Sequence, residues 1–349
     1  MYDGSVIREG CFVRPRTFAS TAWRTFAGRR NLGLLITVLV VLLLVSLVSP
    51  QFLSIDNLLV IALQVSFIGI AALGMACLII SGNVDLSIGS QYALCAVTAA
   101  MLAKTIPSPL AWIAGIALGA MLGLIDAFMV WRIRISPIIV TLGTLTIFRG
   151  IALRVTNGFA VRGVPQPFST LGRGRWLNVP VPVWMLAGLA MLAHVALHST
   201  KQGRHLFAFG GNPQAAEAAG INGKRMVLTI FAANGALVGL SAVLAASRFG
   251  TAAPTFGVGF ELDVIAAVIL GGVAFTGGEG TIVGVLLAVI LLGTINSGLI
   301  SVGVDPHYAQ VVKGAALVIA VTLDQLAHEQ QERYRKKLAM QERSPAAGT

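Results

Sequence analysis

NLGLLITVLVVLLLVSLV, residues 31–48, runs for eighteen residues without a charged side chain. A helix needs roughly 20 predominantly apolar residues to cross the bilayer's hydrocarbon, so this stretch is long enough to span. Arg24, Arg29 and Arg30 precede it, as basic residues precede a secretory signal. It is too long for a signal's apolar region and lacks a small-residue cleavage site, so it is read as a retained first span. The rest of the chain follows suit. Of its 349 residues, 56% are hydrophobic and 11% are charged, against about 25% charged in a soluble domain.

Apolar runs between Pro, Gly and charged breaks predict ten spans: 32–49, 57–80, 87–103, 109–131, 137–153, 183–199, 227–247, 262–276, 281–300 and 306–324. The fold class is therefore all-α, a polytopic transmembrane helix bundle of about ten spans. The eighth run is short and ends in GGVAFTGGEG, a composition expected of a broken or re-entrant helix. Non-helical backbone at that depth is tolerated only where protein or a water-filled path covers it. Three cysteines, Cys11, Cys77 and Cys95, form no CxxC or metal spacing, and the latter two read as small buried apolar residues.

The formal net charge of +11 is scattered over loops and tails, which argues for a topology signal rather than a nucleic-acid surface. With the N-terminus inside, 17 of the 25 Lys and Arg residues fall on the cytoplasmic side. Lys104, Arg154, Arg162, Arg173, Arg175 and Arg248 fall outside, and Arg149 and Lys313 lie within spans. Both termini are thus expected in the cytoplasm. The expected division is a tail at 1–30, a transmembrane domain at 31–325 that includes a cytoplasmic loop at 200–226, and a second tail at 326–349. The external loop at 154–182 contains VPQPF and NVPVP, and its prolines favour extended or turn structure. It is either a docking surface or an ordinary connection. The mixed-charge end QLAHEQQERYRKKLAMQER reads as a solvated interfacial helix.

Catalytic signatures are missing. No GxxxxGK[ST] occurs, because Gly223-Lys224 is followed by Arg225, and the glycine clusters do not fit GxGxxG. HEQQE lacks the second histidine of HExxH. His194 and His198 share a helix face at i, i+4, a spacing compatible with a metal but more often simple packing when no carboxylate or thiolate lies near. No cofactor is implied. Lys313 in QVVKGAALVIAV is costly at depth, at least about 2.5 kcal/mol, so it is expected to face a partner or a central path. Arg149, near an outer span end, is expected to snorkel. In SGNVDLSIGS, Asp85 either caps the following helix or contacts a ligand. These charges form no Asp/Glu/His series, which weakens a proton-driven carrier. Gly115-x-x-x-Gly119-x-x-x-Gly123 and Gly235-x-x-x-Gly239 permit close helix contact.

One polar island stands out: GRHLFAFGGNPQAAEAAGINGKRM, residues 203–226. Gly210, Gly211, Asn212 and Pro213 suggest a sharp turn, with Asn212 an N-cap and Pro213 at the first helical position. QAAEAA then forms a short helix, and Gly220 stops it. So short a helix of small residues needs a surface to lie against; otherwise it is a plain connector.

The wording of this island resembles the cytoplasmic loop of ribose/xylose-type sugar permeases, the membrane subunits of bacterial ABC importers. NVDLSIGS, SPIIVTLGTLTIFRGIAL, VIAAVILGGVAFTGGEGTIVG and VGVDPHYAQVVKGAALVIAV resemble the same family in the same order, from about residue 50 to 325. The resemblance implies a non-enzymatic subunit of the bacterial inner membrane, working as a dimer with an identical or paralogous permease. It further implies a cytoplasmic ATP-binding-cassette ATPase and a periplasmic sugar-binding protein as partners, with ATP hydrolysed on the separate chain. Gly211, Asn212, Pro213, Ala215, Ala216, Glu217, Ala218 and Gly220 would form the coupling helix seated on the ATPase. Asn83, Asp85, Asn234, Asn296 and Lys313 are candidate residues of the translocation path. A branched-chain amino-acid-type permease is the nearer alternative, and a self-sufficient channel or secondary carrier the more distant one.

Overall fold

In the computed structural model, residues 18–303 are described, together with 308, 311, 314 and 315; side chains are described from residue 31, except that of Pro50. Twelve α-helices occur among them: α1 Phe18–Val48, α2 Ile55–Ile80, α3 Ile88–Leu102, α4 Ser108–Ile133, α5 Pro137–Thr156, α6 Gln166–Arg173, α7 Val181–Ser199, α8 Lys201–Gly211, α9 Pro213–Ala218, α10 Gly223–Phe249, α11 Phe260–Leu270 and α12 Ile282–Ser301. Seven are long and apolar enough to cross a membrane: α1 over Asn31–Val48, α2, α4, α5, α7, α10 and α12. The helix boundaries agree with the predicted spans to within about four residues, except that α1 begins at Phe18, well before the predicted start at 32. Residues 1–17, most of the predicted tenth span including Lys313, and the C-terminal tail lie outside the described residues, whereas 18–30 of the predicted N-terminal tail are already helical as the start of α1.

The other two expected spans are shorter than a bilayer is thick. At about 1.5 Å per residue, α3 covers roughly 22 Å and α11 roughly 17 Å. The predicted 262–276 helix ends at Leu270, where Gly271 and a left-handed Gly272 (φ 92°) turn the chain. Residues 273–281 then run without helix, largely covered by protein: Val273 is fully buried and Ala274 nearly so. A matching non-helical run, 81–87, precedes α3. In these two runs the bundle covers much of the freed backbone, although Gly82, Phe275 and Thr276 are exposed.

α2 and α10 form the centre. All residues from Gly69 to Ile80 in α2 except Cys77 are buried, as are all those from Val238 to Ser247 in α10. α10 lies along α4, and the two glycine motifs meet there. A Cβ at Gly119 would collide with the carbonyl of Gly235, one at Gly235 with that of Gly119, and one at Gly123 with that of Phe231. Side chains have been removed wherever the backbones touch, the small-residue packing that works without a hydrophobic driving force. By contrast, α1 buries only Val38 among its described side chains and leaves Leu35, Ile36, Leu39, Leu43 and Leu47 exposed. An apolar face of that size suits lipid or a partner helix, not water.

The 154–182 loop, expected outside, is more ordered than its prolines suggest. Pro165 precedes α6 and Pro167 sits in its first turn, where a missing N–H costs nothing. Gly172 N–H donates to Ser247 Oγ at 2.7 Å, and that hydroxyl donates to Phe168 O at 2.6 Å, fastening α6 to the end of α10. Arg175–Trp176 and Val179–Pro180 close the loop as a two-stranded antiparallel turn.

Candidate functional site

The polar island folds as two helices. α8 is amphipathic: Gly203, Leu206, Phe209 and Gly210 are buried, and Lys201, Arg204 and His205 are exposed. The predicted Gly210–Pro213 turn is thereby corrected. Both glycines belong to α8, where Gly210 needs its missing side chain for close packing and Gly211 is exposed, and the chain turns only at Asn212. The Asn212 side chain accepts from Ala215 N–H at 2.9 Å, Pro213 opens α9, and Gly220 (φ 89°) follows its end, as expected. Asn222 repeats the device on α10, accepting from Arg225 N–H at 3.0 Å.

Within α9, Gln214, Ala215, Glu217 and Ala218 are exposed, whereas Ala216 is turned into the bundle at 5% exposure. The outward face therefore rests on Ala215 and Ala218; Ala216 is a packing residue, which corrects its placement in that face. Glu217 Oε1 folds back against Gly223, at the start of α10, where a carboxylate suits the positive helix end.

Gly210 connects the island to the interior. A Cβ there would strike the carbonyl of Ile80, and Gly278 N–H donates to that same carbonyl at 2.8 Å. Gly277 packs against Gly210 and Gly82, and Gly278 against Gly211. The end of α8 thus touches the start of the 81–87 run and the middle of the 273–281 run. The charge-derived orientation puts all three segments on the inner side.

Above this junction lies a fully buried polar cluster. Asp85 Oδ1 accepts from Ser87 N–H at 2.9 Å and Ser87 Oγ–H at 2.6 Å. Its Oδ2 accepts from Gln91 Nε2 and Asn234 Nδ2, each at 3.1 Å. Asp126 on α4 joins through Ser87 Oγ at 3.0 Å and Gln91 Nε2 at 3.2 Å, both at its Oδ2. Asp85 does not cap α3, whose N-cap position is Ser87; it accepts from that residue's N–H and, through Gln91 and Asn234, binds α10 to α3.

Of the candidate path residues, the structure brings together only Asp85 and Asn234, and both are 0% exposed. In this conformation they hold helices together and reach no solute. Asn83 is half-buried, bonds to Ser81, and lines a cleft of about 150 Å³ with Ser136, Pro137 and Phe275. Asn296 is half-buried on α12, which packs on α1, α2 and α11. Asp126, Gln91 and Ser87 were not among the sequence candidates; a lone carboxylate in GLIDAFM was the available signal.

Arg149 does not snorkel. Its guanidinium turns inward and donates to Pro254 O at 2.6 Å, Phe256 O at 2.8 Å and Gly89 O at 3.1 Å, since carbonyls freed by the 250–259 turn and the start of α3 offer better partners. Beside it, Tyr92, Phe249, Phe256, Phe260 and Asp263 line an open cleft of about 260 Å³. His194 and His198 stack at 4.5 Å between ring centroids, and no third metal-type ligand joins them among the described residues.

Residues 57–321 match the family model described as "Branched-chain amino acid transport system / permease component". The chain belongs to this permease family. Among curated relatives, the ribose import permease protein RbsC of Escherichia coli K12 is 38% identical over 295 residues, covering 83% of this chain and 92% of that protein. RbsC of Bacillus subtilis strain 168 is 39% identical over 298 residues, covering 84% and 92%. The galactose/methyl galactoside import permease protein MglC of E. coli K12 is 35% identical over 319 residues, covering 85% and 94%. No solved structure gives a significant match. Like its relatives, the chain is a multi-pass transport component rather than an enzyme.

Proposed function

We propose that this permease carries a monosaccharide inward across the bacterial inner membrane, energised by a separate ATP-binding-cassette ATPase and supplied by a periplasmic sugar-binding protein. Its relatives named for ribose, galactose and arabinose support a sugar over the branched-chain amino acid of the family description. Two permease copies, identical or paralogous, would enclose the path between them.

The observation that carries the mechanism is the junction of Gly210–Gly211 with Ile80–Gly82 and Gly277–Gly278. An ATPase seated on the exposed face of α9 moves α8, and α8 bears directly on both non-helical runs, at the start of 81–87 and the middle of 273–281. Displacing such runs separates no continuous helix, so the inner side opens while the α4–α10 seam holds. Gly211, Asn212, Pro213, Ala215, Glu217, Ala218 and Gly220 form the coupling segment in this account, with Ala216 as its anchor. Asn83, in the inner cleft, and Asn296 remain path candidates. So does Lys313, for which Lys313→Leu is expected to lower transport without harming insertion. The outer aromatic cleft beside Asp263 offers ring faces for a sugar's C–H surface and a carboxylate for its hydroxyls.

The test is ATP-driven uptake in proteoliposomes holding permease, ATPase and binding protein, assayed with ribose, galactose, arabinose and leucine. Uptake of a sugar alone supports the proposal. Leucine uptake would move the chain to the amino-acid branch, and uptake without ATPase would make it a self-sufficient carrier.

A further inference from the structure

The buried cluster does not balance as two carboxylates. A serine hydroxyl has one hydrogen and two lone pairs, yet Ser87 Oγ lies 2.6 Å from Asp85 Oδ1 and 3.0 Å from Asp126 Oδ2. Its hydrogen serves one of them. The second contact needs a hydrogen from the other side. The two acids also differ sharply in their surroundings. Asp85 receives four donors, two at each oxygen: Ser87 N–H, Ser87 Oγ–H, Gln91 Nε2 and Asn234 Nδ2. That environment suits an ionised carboxylate. Asp126 Oδ1 has no hydrogen-bond partner among the described residues, and the neighbouring Thr144 hydroxyl lies 3.2 Å from Val140 O and 3.4 Å from Thr141 O. A bare oxygen on a buried anion is costly, whereas a bare carbonyl of a neutral acid is far less so. Gln91 Oε1 and Asn234 Oδ1 are also buried without a donor, so the cluster has more acceptors than hydrogens.

We propose that Asp85, Ser87 and Asp126 form a binding site for one proton, carried on Asp126 Oδ2. Asp126 then donates to Ser87 Oγ, and Ser87 donates to Asp85 Oδ1. Gln91 donates one hydrogen to Ser87 Oγ at 2.7 Å and the other to Asp85 Oδ2. Every lone pair and hydrogen of the serine hydroxyl is used, and one negative charge remains, on the acid with four donors. Surrounding charges offer no substitute among the described residues. Arg149 on α5 is engaged by three carbonyls. Lys224, Arg225 and Arg248 stand at the ends of α10, and Glu261 and Asp263 on α11 are themselves acids. The proton lets the 81–87 run be tied to α4 by a neutral bond, one that can be released and remade without separating an ion pair.

Infrared spectroscopy of the full-length permease in lipid nanodiscs reads this directly. The wild type should show the carbonyl stretch of a buried, protonated carboxyl group, shifted by deuteration. Asp126→Asn should abolish that band yet keep the melting temperature, because the amide can donate to Ser87 Oγ as the acid does. Asp85→Asn should lower the melting temperature by several degrees, because its amide nitrogen would face donors. Asp126→Ala should also lower it, which separates loss of the donor from loss of the charge. Absence of the band in the wild type would overturn the proposal. So would its persistence in Asp126→Asn, equal destabilisation by Asp126→Asn and Asp85→Asn, or saturable stabilisation of the wild type by sodium or potassium, which would place a metal cation at the site.

Discussion

Two of the places where backbone meets backbone in this permease have opposite consequences. Along α4 and α10, Gly115, Gly119 and Gly123 face Gly235 and Gly239, and the contact runs between two unbroken helices. Where α8 ends, Gly210 and Gly211 meet Ile80, Gly82, Gly277 and Gly278, and the contact runs between a helix end and two non-helical segments. The first cannot open without parting the centre of the bundle. The second can shift by changing a few backbone torsions, three of them at left-handed glycines. Glycine spacing alone does not distinguish frame from moving part; helix continuity does.

The largest effect is expected from Gly119→Leu. Its side chain would enter the Gly235 backbone, where relief requires moving a whole helix, so destabilisation should reach or exceed about 3 kcal/mol. Loss of folded permease on detergent size exclusion checks it, and a normally folded variant would show the seam to be loose. Gly210→Val should act next, by about 1–3 kcal/mol. Unlike the seam variant, it should leave a monodisperse protein that no longer transports. Arg149→Gln removes charged donors from three carbonyls that hold the start of α3 to the 254–256 turn, and should cost about 1–2 kcal/mol by thermal melt. Asn212→Ala removes only the α9 cap, about 1 kcal/mol of local stability. It should lower uptake modestly while the global melting temperature stays put. Equal effects of Gly210→Val and Gly119→Leu would erase the distinction between the two contacts.

Much of this was legible in the sequence. Length and hydropathy locate the seven long helices, and an Asn-Pro pair before small residues locates the start of α9, because both signals are local. The lengths of α3 and α11 were less legible: apolar residues continue past Leu270 although the helix does not, and the bundle's cover over 273–281 is a tertiary fact. Asp126 sits in a span whose overall hydropathy hides one carboxylate. Its partner Ser87 lies 39 residues away, and Asn234 lies 149 residues from Asp85. No periodicity connects positions so distant. Arg149 illustrates the same limit, since the carbonyls that draw it inward are freed by a turn more than 100 residues later. Ala216 was equally hidden: four alanines around Glu217 look alike until the helix is seated.

The central claim is that force enters at the outward face of α9 and travels through α8 to the non-helical segments. ATP-driven sugar uptake by Ala218→Trp permease, at wild-type abundance and melting temperature in the membrane, tests it most directly. The account predicts that uptake is lost, because the indole holds the ATPase off an exposed face while touching nothing inside the bundle. Wild-type uptake by that variant would contradict it.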